Sequence, residues 1–168
     1  ADLIIAASGL VAQILGAKVT LSALYRTPCF PAGAGPDYVN AAALVTLRET
    51  WGPDQVLADL HAVEARFGRV RQTRWGARTL DIDLLAMGDV VLPDAQTHQY
   101  WRDLPAEAQQ RQTPDQLILP HPRMMERAFV LIPLFEIAPT YVDPVSGTTI
   151  SDMIAALPDA EKSTILPI

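Results

Sequence analysis

Val19-Thr-Leu-Ser-Ala-Leu-Tyr25 and Tyr38-Val-Asn-Ala-Ala-Ala-Leu-Val-Thr-Leu47, joined through a Pro- and Gly-rich stretch, set the fold class. The first run alternates well enough for a strand, and the second reads as its antiparallel partner. Between them Pro28, Pro31, Gly33, Gly35 and Pro36 make a loop of restricted backbone rather than a loose tether. Upstream, Leu3, Ile4, Ala7, Val11, Ile14 and Leu15 fall at helical spacing, with Gly16 as the stop. Downstream, Gly52-Pro53-Asp54 opens a helix, since Pro53 suits its first turn. Val56, Leu57, Leu60, Val63 and Phe67 form its apolar stripe, and Gly68 ends it.

The remaining chain reads as follows. A strand is expected from Thr79 to Met87, then a turn at Gly88-Asp89 into a short strand from Val90 to Leu92. Asp94 to Gln116 is polar and weakly periodic, and is expected to be a surface insertion with some helix around Pro105–Arg111. Glu126 to Ile137 predicts an apolar helix that Pro133 must bend or interrupt and Pro139 closes. A last helix is expected from Ser151 to Leu157, with Ser151 and Asp152 as possible caps. Hairpin-like strands with separate helices predict an α+β fold rather than an alternating parallel sheet, and no repeat or linker divides residues 1–168 into two domains.

Composition excludes several classes. Apolar residues are 49% and charged residues 19% of the 168, which fits a globular domain and not a disordered chain. A net charge of -6 gives no general electrostatic case for nucleic acid or anionic membrane. The single cysteine, Cys29, cannot form an internal disulfide, and no Cys–His set has zinc spacing. The apolar stretch from Leu3 to Leu15 is too short to span a bilayer, and a signal peptide's basic front is missing. The expectation is a soluble cytoplasmic protein, monomeric, acting on small molecules.

Chemistry concentrates in one segment. Five arginines, Arg66, Arg69, Arg71, Arg74 and Arg78, immediately precede Asp81 and Asp83. In an extended strand these two aspartates share a face, about 6.7 Å apart along the chain, while Leu80, Ile82 and Leu84 share the other. Two like charges so placed raise each other's pKa unless a counter-charge intervenes. Magnesium, or a pair of ions about 3.5–4 Å apart, resolves that conflict and leaves oxygen sites for phosphates. The arginines supply bidentate, permanently charged contacts of the kind phosphoryl transfer needs. A lone Asp-x-Asp is ordinarily a solvated face, and a lone arginine run a soluble surface. Their abutment within an acidic chain points instead to a metal-and-phosphate site, without naming a substrate.

Arg74-Trp-Gly-Ala-Arg78-Thr-Leu-Asp81-Ile-Asp83-Leu-Leu resembles the signature R-W-G-P-R-x-x-D-L-D-I/L of the 6-hydroxymethyl-7,8-dihydropterin pyrophosphokinase family, with Ala77 at a position where proline is common. The likeness continues in order from Leu21 to Pro139. It includes Tyr25-Arg-Thr-Pro28, Pro36-Asp-Tyr-Val-Asn-Ala-Ala42, Glu64 with Gly68-Arg-Val-Arg71, Leu119-Pro-His-Pro-Arg123, Glu126-Arg-Ala-Phe-Val-Leu131 and Pro133-Leu-Phe-Glu-Ile-Ala-Pro139. The resemblance implies a ferredoxin-like antiparallel sheet with helices packed on it. It also implies transfer of pyrophosphate from ATP to the hydroxymethyl group of the dihydropterin, in folate synthesis, leaving AMP. Asp81 and Asp83 would hold two magnesium ions. Arg69, Arg71, Arg78 and Arg127 would guide the triphosphate, with His121 on its phosphate side and Glu64 on its nucleotide side. Thr27, Pro28, Phe30, Tyr38, Asn40, Trp75 and Phe129 would form the pterin pocket, where two aromatic rings can stack on a flat heterocycle and an amide can read its edge. Ala1–Leu15 would correspond to the family's first helix, so that the family's first strand would precede Ala1.

A rival class is a non-catalytic nucleotide- or RNA-binding module using Arg66–Arg78 as an anion patch and Tyr38 or Trp75 for stacking. The net charge of -6 weighs against it. A Walker-type nucleotide hydrolase is excluded by the lack of G-x-x-x-x-G-K-[S/T].

Overall fold

The computed structural model describes residues 1–29, 35–47, 51–68 and 79–168. The expected hairpin forms, but each of its strands is broken in two. β1 (Lys18–Leu21) pairs antiparallel with β4 (Ala43–Thr46), and β2 (Tyr25–Thr27) pairs antiparallel with β3 (Tyr38–Asn40). Leu21 faces Ala43, and the Ser22 N–H still donates to the Ala42 carbonyl at 2.9 Å. The next pair is Tyr25 with Asn40. Ala23 and Leu24 therefore stand opposite Ala41 alone, a one-residue bulge that bends the strand and splits the ladder.

The backbone groups at the bulge are taken up from outside the hairpin. Ser22 Oγ accepts the Ala42 N–H at 2.9 Å and donates to the Ala23 carbonyl at 2.8 Å. Glu136 accepts the Ala23 N–H at 2.8 Å on one carboxylate oxygen and the Tyr25 hydroxyl on the other. The Leu24 carbonyl accepts the Ile168 N–H at 2.9 Å. That last bond accompanies a short strand missing from the sequence expectations, β5 (Leu166–Pro167), which pairs antiparallel with β2. Two residues are too few to show a period, and Pro167 is tolerable on an edge strand.

The helices meet expectation more closely. α1 (Asp2–Ile14) ends before Gly16, whose φ of 56° only glycine adopts without strain. α2 (Pro53–Arg66) begins with proline in its first turn and ends at Gly68, φ 82°. Ala7, Val11 and Leu15 pack with Val56, Leu60, Val63 and Leu80 into one core cluster, which Val19, Val45, Ile82 and Leu84 extend. α5 (Ala128–Ile137) follows a single 3-10 turn (Met124–Glu126) and contains Pro133 without being interrupted. Leu131 of α5, Met124 and Tyr25 join Met153, Leu157 and Ile165 in a second cluster. Met153 comes from α6 (Ile150–Ala156) and Leu157 from the residue that follows it. Thr149 caps α6, in place of the expected Ser151 or Asp152, because its hydroxyl accepts the Asp152 N–H at 3.1 Å and donates to the Asp152 carboxylate at 2.7 Å. A short α7 (Asp159–Lys162) was not anticipated.

The insertion at 94–116 carries α3 (Ala95–Asp103) and α4 (Ala106–Arg111), more helix than the polar sequence suggested. Asp94 caps α3 through the Thr97 N–H at 2.8 Å. The expected strand at 90–92 reduces to one bridge, Leu92 with Leu119. Helices and antiparallel strands in separate layers make the fold α+β. Among the described residues, no helix is long and apolar enough to cross a membrane.

Candidate active site

Residues 79–84 alternate as expected, and 79–87 form no ladder with the other described residues. Leu80 is buried, Ile82 and Leu84 are half-buried against the first core cluster, and Asp81 and Asp83 are exposed on the opposite side. Among the described residues, single backbone hydrogen bonds tie this segment to its surroundings. The Ile82 N–H, between the two aspartates, donates to Glu64 Oε1 at 2.7 Å. The Leu85 carbonyl accepts the His121 N–H at 2.7 Å. Glu64, predicted on the nucleotide side, is 1% exposed, and a carboxylate so buried needs such donors to hold it. Its place under Ile82 fixes the backbone that carries both aspartates.

The Asp83 charge acts on both His121 and Arg127, and the Asp81 charge on Arg127 as well. The Arg123 N–H donates to His121 Nδ1 at 3.1 Å, so in the neutral ring the proton sits on Nε2. Burial lowers the His121 pKa below the ordinary imidazole value; the Asp83 charge opposes the fall, while Arg127 and Arg123 add to it. Burial and Arg123 likewise weaken the Arg127 guanidinium's hold on its proton, against the pull of Asp83, Glu126 and Asp81. It stays charged, as arginine does at any working pH. Its guanidinium carbon lies 5.7 Å from the centre of the Phe129 ring, within range of a cation–π contact. Arg127 thus joins the aspartate side to an aromatic side.

On that aromatic side, Thr27 is buried and its hydroxyl accepts the Asn40 Nδ2 donor at 2.7 Å, which fixes how the Asn40 amide is turned. Pro28 is exposed beside it. Tyr38 and Phe129 are 54% and 38% exposed, so neither ring is spent in the core. α5, which bears Phe129, packs against β2 and β3, which bear Thr27, Tyr38 and Asn40. Cys29 and Gly35 exchange hydrogen bonds of 3.0 and 3.2 Å, drawing together the two ends of the loop. The predicted residues Phe30, Arg69, Arg71, Trp75 and Arg78 lie outside the described residues.

Two residues that sequence reasoning passed over matter here. Glu136 ties α5 to the bulge through Ala23 and Tyr25, and that hydrogen bond, with burial, pushes the Tyr25 pKa up to about 12. Its signal was present: it is the one charged residue in the apolar helix. His98, buried in α3, left no such signal among its polar neighbours.

The donor set suits magnesium. Two exposed carboxylates on one face offer hard oxygen ligands and leave positions for water and phosphate, which is how that ion is usually bound. Among the described residues, no group of three His, Cys, Asp or Glu side chains could enclose an ion. An all-protein cage is not what this chemistry requires.

Comparison with known proteins identifies the family. The family model described as 7,8-dihydro-6-hydroxymethylpterin-pyrophosphokinase matches residues 2–139. A Synechocystis protein named 2-amino-4-hydroxy-6-hydroxymethyldihydropteridine pyrophosphokinase is 41% identical over 145 residues, 86% of this chain and 63% of the relative. Proteins of the same name from Methylorubrum extorquens and Haemophilus influenzae are 36% and 32% identical, over 83% and 89% of this chain and 73% and 79% of theirs. The chain therefore spans a little under two thirds of the Synechocystis relative's length and about three quarters of the other two. On the match across residues 2–139, the chain belongs to the 7,8-dihydro-6-hydroxymethylpterin-pyrophosphokinase family.

Proposed function

We propose that this protein transfers pyrophosphate from ATP to the hydroxymethyl group of 6-hydroxymethyl-7,8-dihydropterin, giving AMP and the pterin diphosphate, as a step of folate biosynthesis. The observation that carries the reading is Arg127, whose guanidinium feels the charges of Asp83 and Asp81 and lies 5.7 Å from the centre of the Phe129 ring, with His121 also under the Asp83 charge. Phosphate-binding charge and a stacking surface thereby meet at one guanidinium.

The pterin lies between Tyr38 and Phe129, with its amide-like edge on Asn40 and its surroundings completed by Thr27, Pro28, Phe30 and Trp75. The Thr27 hydroxyl holds the Asn40 amide so that its oxygen and its second N–H are presented in a fixed order. Arg127 and the Nε2–H of His121 bind oxygens of the triphosphate, and Arg69, Arg71 and Arg78 add positive charge as the transferred group moves. The hydroxymethyl oxygen attacks the β-phosphorus and loses its proton, and the bond from that phosphorus to the bridging oxygen of AMP breaks. Asp81 and Asp83 would hold two magnesium ions, whose role is to neutralise the phosphates and polarise the group transferred. Glu64 serves the nucleotide side by holding the Ile82 backbone in place.

The α+β layers, with α1 and α2 packed together behind the hairpin, support a ferredoxin-like arrangement. We take residues 1–168 as one pterin pyrophosphokinase domain, monomeric and cytoplasmic, with 94–116 as an insertion. Incubation with magnesium, ATP and the hydroxymethyl dihydropterin should release AMP in step with pterin diphosphate. Release of ADP, or no turnover, would overturn the assignment.

A further inference from the structure

We infer that the 94–116 insertion braces the phosphate side of the site and that His98 is its positioning residue; this deepens the function proposed above and rests on it. α3 is a polar helix, with Gln99, Tyr100 and Asp103 turned to solvent, yet His98 is 0% exposed. Its Nε2 lies 2.8 Å from the Pro120 carbonyl oxygen. A carbonyl only accepts, so Nε2 donates and Nδ1 carries the lone pair. Among the described residues Nδ1 is buried without a hydrogen-bond partner, so a second ring proton would find no acceptor among them. Burial correspondingly lowers the His98 pKa.

The carbonyl that His98 grips belongs to the residue before His121. Leu119, one residue further back, exchanges backbone hydrogen bonds of 2.9 and 3.2 Å with Leu92, closing the insertion at its root. The 119–121 segment is thus held from Leu92, from His98 and from Leu85, and the His121 it carries lies within reach of the Asp83 charge.

The buried face of α3 is built for placement rather than for apolar burial. His98 and Arg102 are four apart and share a face. Arg102 Nη2 contacts both carboxylate oxygens of the buried Asp143, at 3.0 and 3.2 Å. Asp94, four residues before His98, fixes the start of the helix through Thr97. An apolar stripe would tolerate sliding by a fraction of a turn; a donor aimed at one carbonyl and a guanidinium aimed at one carboxylate do not. The two anchors differ in what they hold: His98 holds the His121 segment, Arg102 the 143–148 turn.

The test compares three variants in the complete chain. His98→Leu keeps the volume and removes the donor, His98→Gln keeps a donor at the reach of Nε2, and Arg102→Gln breaks the other anchor. The KM for ATP should rise about tenfold in His98→Leu, the effect of one lost hydrogen bond, with the KM for the pterin unchanged within twofold. His98→Gln should restore the ATP KM, and Arg102→Gln should lower Tm while leaving both KM values near wild type. If His98→Leu fails to fold, the inference still fails on a His98→Gln protein whose two KM values rise together. Equal ATP KM values in wild type and His98→Leu, or the same KM pattern in His98→Leu and Arg102→Gln, would overturn the inference alone. A wild type that makes no AMP would remove the parent reading with it.

Discussion

The proposed pterin side and the proposed phosphate side of the site are held by different means. Thr27, Tyr38 and Asn40 sit on the paired strands β2 and β3, whose one ladder sets Thr27 opposite Tyr38 and Tyr25 opposite Asn40. Among the described residues, the extended chain that bears Asp81, Asp83 and His121 is tied by single bonds: Glu64 on Ile82, His121 on Leu85, His98 on Pro120. A ladder shares the loss of any one bond among its neighbours, whereas a single side-chain bond to backbone has no substitute and leaves an orphaned polar group. Changes on the phosphate side should therefore be abrupt and specific, and those on the pterin side gradual.

The largest expected effect lies at the aspartates themselves. Asp83→Asn should lower turnover about a hundredfold or more, as loss of one stabilising group in a preorganised site does. Because Asp83 is exposed, Tm should move by only about 2 °C. A fall in Tm proportionate to the fall in activity would make Asp83 a structural residue and dissolve the contrast.

Next comes the scaffold beneath them. Glu64→Ala strands the Ile82 N–H and should cost about 1–3 kcal/mol by chemical denaturation, with an accompanying loss of turnover. A variant as stable as wild type would show that the 79–87 segment does not depend on that bond.

On the pterin side, Tyr25→Phe removes one of the two bonds that Glu136 makes and leaves the ladder intact. The expected cost is about 1 kcal/mol, with a two- to threefold rise at most in the pterin KM. An effect as steep as that of Asp83→Asn would mean that the two sides are built alike.

The smallest effect is one of pH. The folded chain holds the His98 proton less tightly than the unfolded chain does, because burial disfavours the imidazolium. As pH falls below about 6.5 the unfolded state takes up a proton first, so this contribution is full above that value and is lost on acidification. His121 shifts in the same direction, so the quantity to measure is the difference between wild type and His98→Gln. The slope of denaturation free energy against pH between 5 and 7 should be shallower in the variant.

The sequence was most informative where a period governs. The stripes of α1 and α2, their Gly16 and Gly68 stops, and the alternation of Leu80, Asp81, Ile82 and Asp83 follow from spacing alone. The bulge at Ala23 and Leu24 did not, because an extra residue is visible only once the partner's register is known. The strand expected at 79–87 had the right faces and the wrong bonding, since alternation reports burial and not which group receives an N–H. His98 and Glu136 act across 22 and 111 residues of chain, separations that no local pattern encodes. The arginines of the signature were read from composition and resemblance together, and their roles in triphosphate binding remain part of the proposal.

The central claim is that two phosphorus atoms move as a unit at the Asp81–Asp83 face. It is tested most directly with ATP labelled at the β-phosphorus, magnesium and the hydroxymethyl dihydropterin, by separating the products. The account predicts the β-label in the pterin product, AMP without label, and loss of this transfer in Asp83→Asn. A β-label retained in ADP, with only the γ-phosphorus on the pterin, would contradict it.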